Sequence, residues 1–98
     1  LTSDEFNAEE AKRIGLVQEI VPLGRQLTRA IEIAEVIATG APLAVQATKA
    51  SSRRFVQEGY DAAVAALGPT QKALFATEDV KEGVQSFVER RAAKFQGR

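Results

Sequence analysis

Apolar residues recur every three to four positions through most of this chain, and a glycine or proline punctuates each run. The first run opens at Asn7-Ala-Glu-Glu10, which has capping-box spacing: Asn7 accepts from backbone donors and Glu10 reaches back. Glu9 and Glu10 favour the positive end of a helix dipole, Lys12 and Arg13 its negative end, and Gly15 stops the turn. The pattern then changes period. Leu16 to Val21 is apolar and β-branched, and Pro22 ends it, so a short strand is expected there. A single strand leaves its backbone groups unpaired and needs partners that this sequence does not supply.

Helical spacing returns at Gln26 to Thr39, with Leu27, Ala30, Ile31, Ala34, Ile37 and Ala38 on the repeat. Gly40 stops it, and Pro42 suits the first turn of the next helix, which runs to about Glu58. Small residues dominate that helix (Ala44, Ala47, Ala50), which implies close packing against a neighbour, and its end is basic. Tyr60, Val64, Leu67, Leu74 and Phe75 mark a fourth helical region, interrupted by Gly68-Pro69. A proline inside a helix removes a hydrogen bond and clashes with the preceding turn. Two short helices, or one kinked helix whose second piece starts at Pro69, are therefore expected. Thr77 caps a last helix with Glu78 and Asp79 in its first turn. Val80, Val84, Phe87 and Val88 form its apolar stripe. Gly83 weakens this helix and suggests the close approach of another group.

Composition narrows the chemistry. The chain has 98 residues, room for one modest core, and 45% are hydrophobic, which argues against a disordered tail. Thirteen basic residues balance thirteen acidic ones, so net charge gives no reason to expect nucleic acid. There is no Cys and no His. That excludes disulfides, a zinc site of the usual ligands, and a Cys nucleophile or His base within these residues. The lack of Cys fits a reducing cytoplasm. No apolar run is long enough to cross a membrane, and the absence of Met suggests that Leu1 is not the natural start.

Three stretches in register resemble the enoyl-CoA hydratase/isomerase (crotonase) family. They are A-E-E-A-K-R-I-G-L-V-Q-E-I-V-P at 8–22, A-P-L-A-V-Q-A-T-K at 41–49, and F-A-T-E-D-V-K-E-G-V-Q-S-F-V-E-R-R-A-A-K-F at 75–95. The last is similar to the family's C-terminal ending. The resemblance implies a mainly α chain: the C-terminal helical, trimerising region of a crotonase-like α/β spiral fold, with one short edge strand. Residues 1–22 would be the tail end of the catalytic spiral domain, and residues 23–98 the oligomerisation region.

Such enzymes polarise a thioester carbonyl with backbone N–H groups, and hydratases add carboxylates that activate water. Those groups belong to a Gly-rich part of the family fold that this sequence lacks. No catalytic residue and no metal ligand is therefore expected here. Glu9, Glu10, Glu82 and Glu89 lie in helix-start or solvated-face patterns and read as structural. Phe87 and Arg90 match positions that, in related hydratases, approach CoA bound to the adjacent subunit. Arg90 stands where the family often has Lys, and a guanidinium pairs with phosphate. On the residues alone, Phe87 reads equally as core and Arg90 as a cation favoured by the helix dipole. Lys94 and Phe95 belong to the same tail. Gln71 falls where some hydratases carry an aromatic residue near the ligand.

The expected protein is thus part of a cytoplasmic acyl-CoA-processing enzyme resembling enoyl-CoA hydratase. It would take a CoA thioester as substrate, use no separate cofactor, and form a homo-oligomer (a trimer or dimer of trimers) without nucleic acid or membrane. A stand-alone helical oligomerisation module without catalysis is the alternative. An anion-binding tail rests only on the late cations Lys81, Arg90, Arg91, Lys94 and Arg98.

Overall fold

Asn7 starts the first helix as its spacing predicts: in the computed structural model, which describes residues 3–98, its side chain accepts from the Glu10 N–H at 2.9 Å. Five helices follow in order: α1 (Ala8–Arg13), α2 (Gln26–Ala38), α3 (Pro42–Glu58), α4 (Tyr60–Phe75) and α5 (Glu78–Glu89). The chain divides into two compact units, residues 1–34 and 35–98, with the division inside α2.

In the first unit, the Glu10 carboxylate does not close the capping box. It accepts instead from the Arg13 guanidinium at 2.6 and 2.5 Å. Arg13 and Glu10 lie one turn apart on the same face, so the pair costs the backbone nothing. α1 ends in a Schellman turn: Leu16 N–H donates to Ala11 C=O at 2.9 Å and Gly15 N–H to Lys12 C=O at 3.1 Å. Gly15 holds the left-handed conformation this turn requires (φ 78°).

The expected strand at Leu16 to Val21 is absent: the described residues contain helices and no strand. The cause is visible in the hydrogen bonds. The N–H groups of Leu16 and Val17 are taken by Ala11 C=O, so α1's cap claims donors that a ladder would need. No neighbouring strand competes for them. Arg29 of α2 then fastens the following segment, donating to Glu19 at 2.8 Å and to Glu32 at 2.9 Å.

In the second unit, α3 and α4 form a helical hairpin with a single residue between them. Gly59 serves both helices. Its N–H donates to Phe55 C=O at 3.0 Å, closing α3, and its C=O accepts from Ala63 N–H at 3.2 Å, opening α4. Ala63 of α4 is buried, but the small residues of α3 expected to pack closely are less so: Ala44 and Ala47 are half-buried and Ala50 is exposed. A single helix spans Gly68-Pro69, which corrects the expectation of two short helices. Proline disfavours helix in the residue before it because its ring meets that residue's Cβ. Gly68 has no Cβ, so that contact is absent and the helix continues through Pro69, which itself donates no hydrogen bond.

Burial is sparse. Among the described residues only Ala11, Ala63, Asp79 and Ser86 are buried, and no large side chain is fully enclosed. Leu27, Ile31, Val36 and Ile37 of α2 all face outward. The helices are therefore held largely by their own hydrogen bonds, caps and turn geometry.

Gly59 tests the importance of that geometry. Its backbone (φ 90°, ψ −179°) lies in a region that essentially only glycine occupies, although a Cβ there would meet no atom within 4 Å. Gly59→Ala is expected to lower stability by about 1–3 kcal/mol through strain alone, without a steric clash. Thermal unfolding followed by circular dichroism would show it as a lower midpoint. An unchanged midpoint would mean that the hairpin tolerates another turn.

Candidate functional site

The region that gathers the most polar contacts is α5 with the nine residues after it. Thr77 caps the helix, its hydroxyl donating to Leu74 C=O at 2.7 Å and accepting from Val80 N–H at 3.3 Å. α5 ends in a second Schellman turn: Arg90 N–H donates to Phe87 C=O at 3.2 Å and Arg91 N–H to Ser86 C=O at 3.0 Å. The left-handed residue of this turn is Arg90 (φ 54°, ψ 41°), where glycine would be the unstrained choice. The chain then reverses, and residues 91–98 run back along α5.

Carboxylates of α5 hold this returning tail. Asp79 is 4% exposed and accepts from the backbone N–H groups of Gln96 at 2.7 Å and Gly97 at 2.8 Å. Its own N–H donates to Arg98 C=O at 3.1 Å. A buried charge is costly unless it is hydrogen-bonded, and these amides meet that need. Asp79 also lies in the first turn, where the helix dipole favours a negative charge. One turn on, Glu82 accepts both Arg91 terminal nitrogens, at 2.6 and 2.9 Å, and the Lys94 N–H at 2.7 Å. Arg91 Nε donates to Glu89 at 2.5 Å. The Arg91 guanidinium, helped by the Lys94 N–H, pulls the Glu82 carboxyl down from 4.5 to about 2. The same carboxylates push the Arg91 guanidinium up.

The tail lays Phe95 over Gly83. A methyl group at Gly83 would stand 3.6 Å from the Phe95 ring, ordinary contact, so an approaching group exists but does not require glycine. Phe95 also walls an apolar cleft of about 400 Å³ with Leu43, Leu74, Phe75, Val80 and Val84. Gln71 lines the same cleft.

Phe87 sits in the last turn of α5 and is 85% exposed, so it is not core in this chain. Its stripe partners Val84 and Val88 are exposed too, and only Val80 is half-buried. Arg90 follows Phe87 by three residues, and its guanidinium has no hydrogen bond or ion pair among the described residues. Phe87 and Arg90 are thus brought to one helix end, both open to solvent. Lys94 and Phe95 are drawn into the tail clamp instead. Glu82 and Glu89 are partners of Arg91 and not a free solvated face. The clamp formed by Asp79, Glu82 and Arg91 was not foreseen. Its available signal was the three-residue spacing of Asp79 and Glu82, which puts both on one face.

Glu10 is paired with Arg13, and no group of three potential metal ligands exists among the described residues. No single described helix is long and apolar enough to cross a membrane.

Residues 1–98 match the family described as enoyl-CoA hydratase/isomerase. An enoyl-CoA hydratase of Mycobacterium tuberculosis is 39% identical over 98 residues, covering 100% of this chain and 37% of that protein. A crotonyl-CoA hydratase of Syntrophomonas wolfei is 38% identical over 94 residues, covering 96% of this chain and 36% of that protein. The crystal structure of a probable enoyl-CoA hydratase/isomerase from Mycobacterium abscessus superposes with a TM-score of 0.96 at 52% identity, covering 99% of this chain and 38% of that one. The chain therefore spans little more than a third of the length of these relatives. These fractions measure the extent of the match and lend no support to the expected C-terminal placement.

The Glu82 clamp has a defined acid limit. A depressed carboxyl stabilises the folded form above its ordinary value and ceases to do so as the pH falls through the folded value. For Glu82, the tail contact is expected to be complete above about 4.5 and lost through about 2. Carboxyl-carbon NMR titration of Glu82 should therefore give a midpoint near 2. In Glu82→Gln the Lys94 amide should lose its exchange protection. A midpoint at the ordinary value would remove the clamp from this description.

Proposed function

The chain belongs to the enoyl-CoA hydratase/isomerase family, and on that premise we propose that it is the helical part of a longer acyl-CoA-processing hydratase. The whole enzyme adds water across the double bond of a 2-enoyl-CoA thioester and stabilises the enolate in an oxyanion hole. It needs no cofactor beyond the CoA thioester itself. This chain supplies oligomer contacts and part of the CoA site, while the catalytic groups lie outside these residues. Its best-placed carboxylates are already engaged: Asp79 by tail amides and Glu82 by Arg91.

The observation that carries this reading is the pair at the end of α5. An exposed aromatic ring, Phe87, presents a face for a nucleotide base. Arg90, without an acidic partner among the described residues, presents a planar fork suited to phosphate. The outward apolar faces of α2 and α5 support a role in oligomer contacts, because such surface is favourable only when covered. Those same faces are what a helical interaction module without catalysis would show, and the kinetic test separates the two.

Arg90→Gln, made in the protein that carries this chain, is expected to raise KM for an enoyl-CoA thioester about tenfold with kcat unchanged, the scale of one charge-assisted phosphate contact. KM for the matching pantetheine thioester, which lacks the nucleotide phosphates, should not move. Phe87→Ala should act in the same direction. If neither variant changes KM, CoA is bound elsewhere. If the protein hydrates no enoyl-CoA, the interaction-module reading replaces this one.

A further inference from the structure

Two adjacent arginines with different surroundings follow the end of α5. Arg91 engages Glu82 through two nitrogens, Glu89 through a third, and Ser86 C=O through its own N–H. Arg90, one residue earlier, has no acid partner among the described residues, although Glu89 is its immediate neighbour in sequence. Arg90 also holds a left-handed backbone that an arginine rarely adopts, and the residue fixing the chain just beyond that turn is Arg91.

We propose that Arg91 is a positioning residue for CoA binding: by occupying Glu82 and, together with the Gln85 amide that donates to Glu89 at 2.5 Å, Glu89, it keeps Glu89 from neutralising Arg90 and locks the turn that presents Arg90 to phosphate. A guanidinium fork can span two carboxylates in fixed geometry, whereas an ammonium acts as a flexible point charge. Charge alone therefore does not suffice at this position. The inference rests on the reading of Arg90 as a CoA contact, and the experiment distinguishes failure of one from failure of the other.

The decisive variant is Arg91→Lys in the intact protein, which keeps the charge and removes the fork. KM for an enoyl-CoA thioester is expected to rise about fivefold, less than for loss of the phosphate contact itself, with kcat and KM for the pantetheine thioester unchanged. Adding Glu89→Gln to Arg91→Lys should recover most of that KM, because the acid released onto Arg90 is gone. A merely structural role would show no such recovery. Glu82→Asp, which shortens the partner while keeping its charge, should reproduce the effect and stands in if Arg91→Lys does not fold. The proposal is overturned if KM rises equally for both thioesters, if kcat falls with it, or if Glu89→Gln gives no recovery. An unchanged KM in Arg91→Lys, with Arg90→Gln still selective for the CoA thioester, overturns positioning and leaves the Arg90 contact standing. An unchanged KM in Arg90→Gln overturns both.

Discussion

Asp79 and Glu82 stand three residues apart on α5, so their carboxylates share one face. The tail that follows the helix returns along that face because both carboxylates bind it. Without regular secondary structure, residues 91–98 cannot satisfy their own backbone donors. Three of those donors, on Lys94, Gln96 and Gly97, end on the two carboxylates. The carboxylates in turn are satisfied by those amides, with the Arg91 fork added at Glu82. Each group meets the other's need, which is why a charged side chain can be as buried as Asp79. The position of Phe95 over the apolar cleft and the reversal at Arg90 both follow from this exchange.

The rest of the chain is held differently. Ala11 and Ala63 are its buried hydrophobic residues among those described, and neither brings much apolar area. Burial contributes about 25 cal/mol per Å² of apolar surface, so side chains that stay outside contribute little to folding here. What remains is local: the caps at Asn7 and Thr77, the Schellman turns at Gly15 and Arg90, and the double service of Gly59. The exposed leucine, isoleucine and valine faces gain their share only against another surface. This is the physical reason why the proposed oligomer role and the sparse core belong to one account.

The sequence made the local signals legible and the long-range ones obscure. Asn7, Gly15, Pro42 and Thr77 fall at the helix ends they mark, because caps depend on nearest neighbours. The strand reading failed at Leu16 to Val21 because β-branched composition does not supply a partner, and the cap of α1 took the first two donors. Of the two forms expected at Gly68-Pro69, the single helix is the one adopted, and the glycine removes the clash between the proline ring and the residue before it. Glu82 and Arg91 are nine residues apart, beyond any helical repeat, so only the chain reversal brings them together. The apolar stripe of α5 follows the helical period, but periodicity does not say which surface will cover it. Phe87 shows the gap: it is on the stripe and yet open.

The reversal at Arg90 shows how local strain and long-range pairing depend on each other. A left-handed arginine costs roughly 1–2 kcal/mol relative to an ordinary helical one. Glycine would avoid that cost but would bring no side chain to the helix end. The turn survives because its two backbone hydrogen bonds close α5 and because Arg91, just beyond it, is held by Glu82 and Glu89 of the helix. Strain persists in proteins where surrounding contacts over-determine the conformation. Here the contacts that over-determine it also occupy the nearest acid, so the geometry that strains Arg90 is the one that leaves its charge unspent.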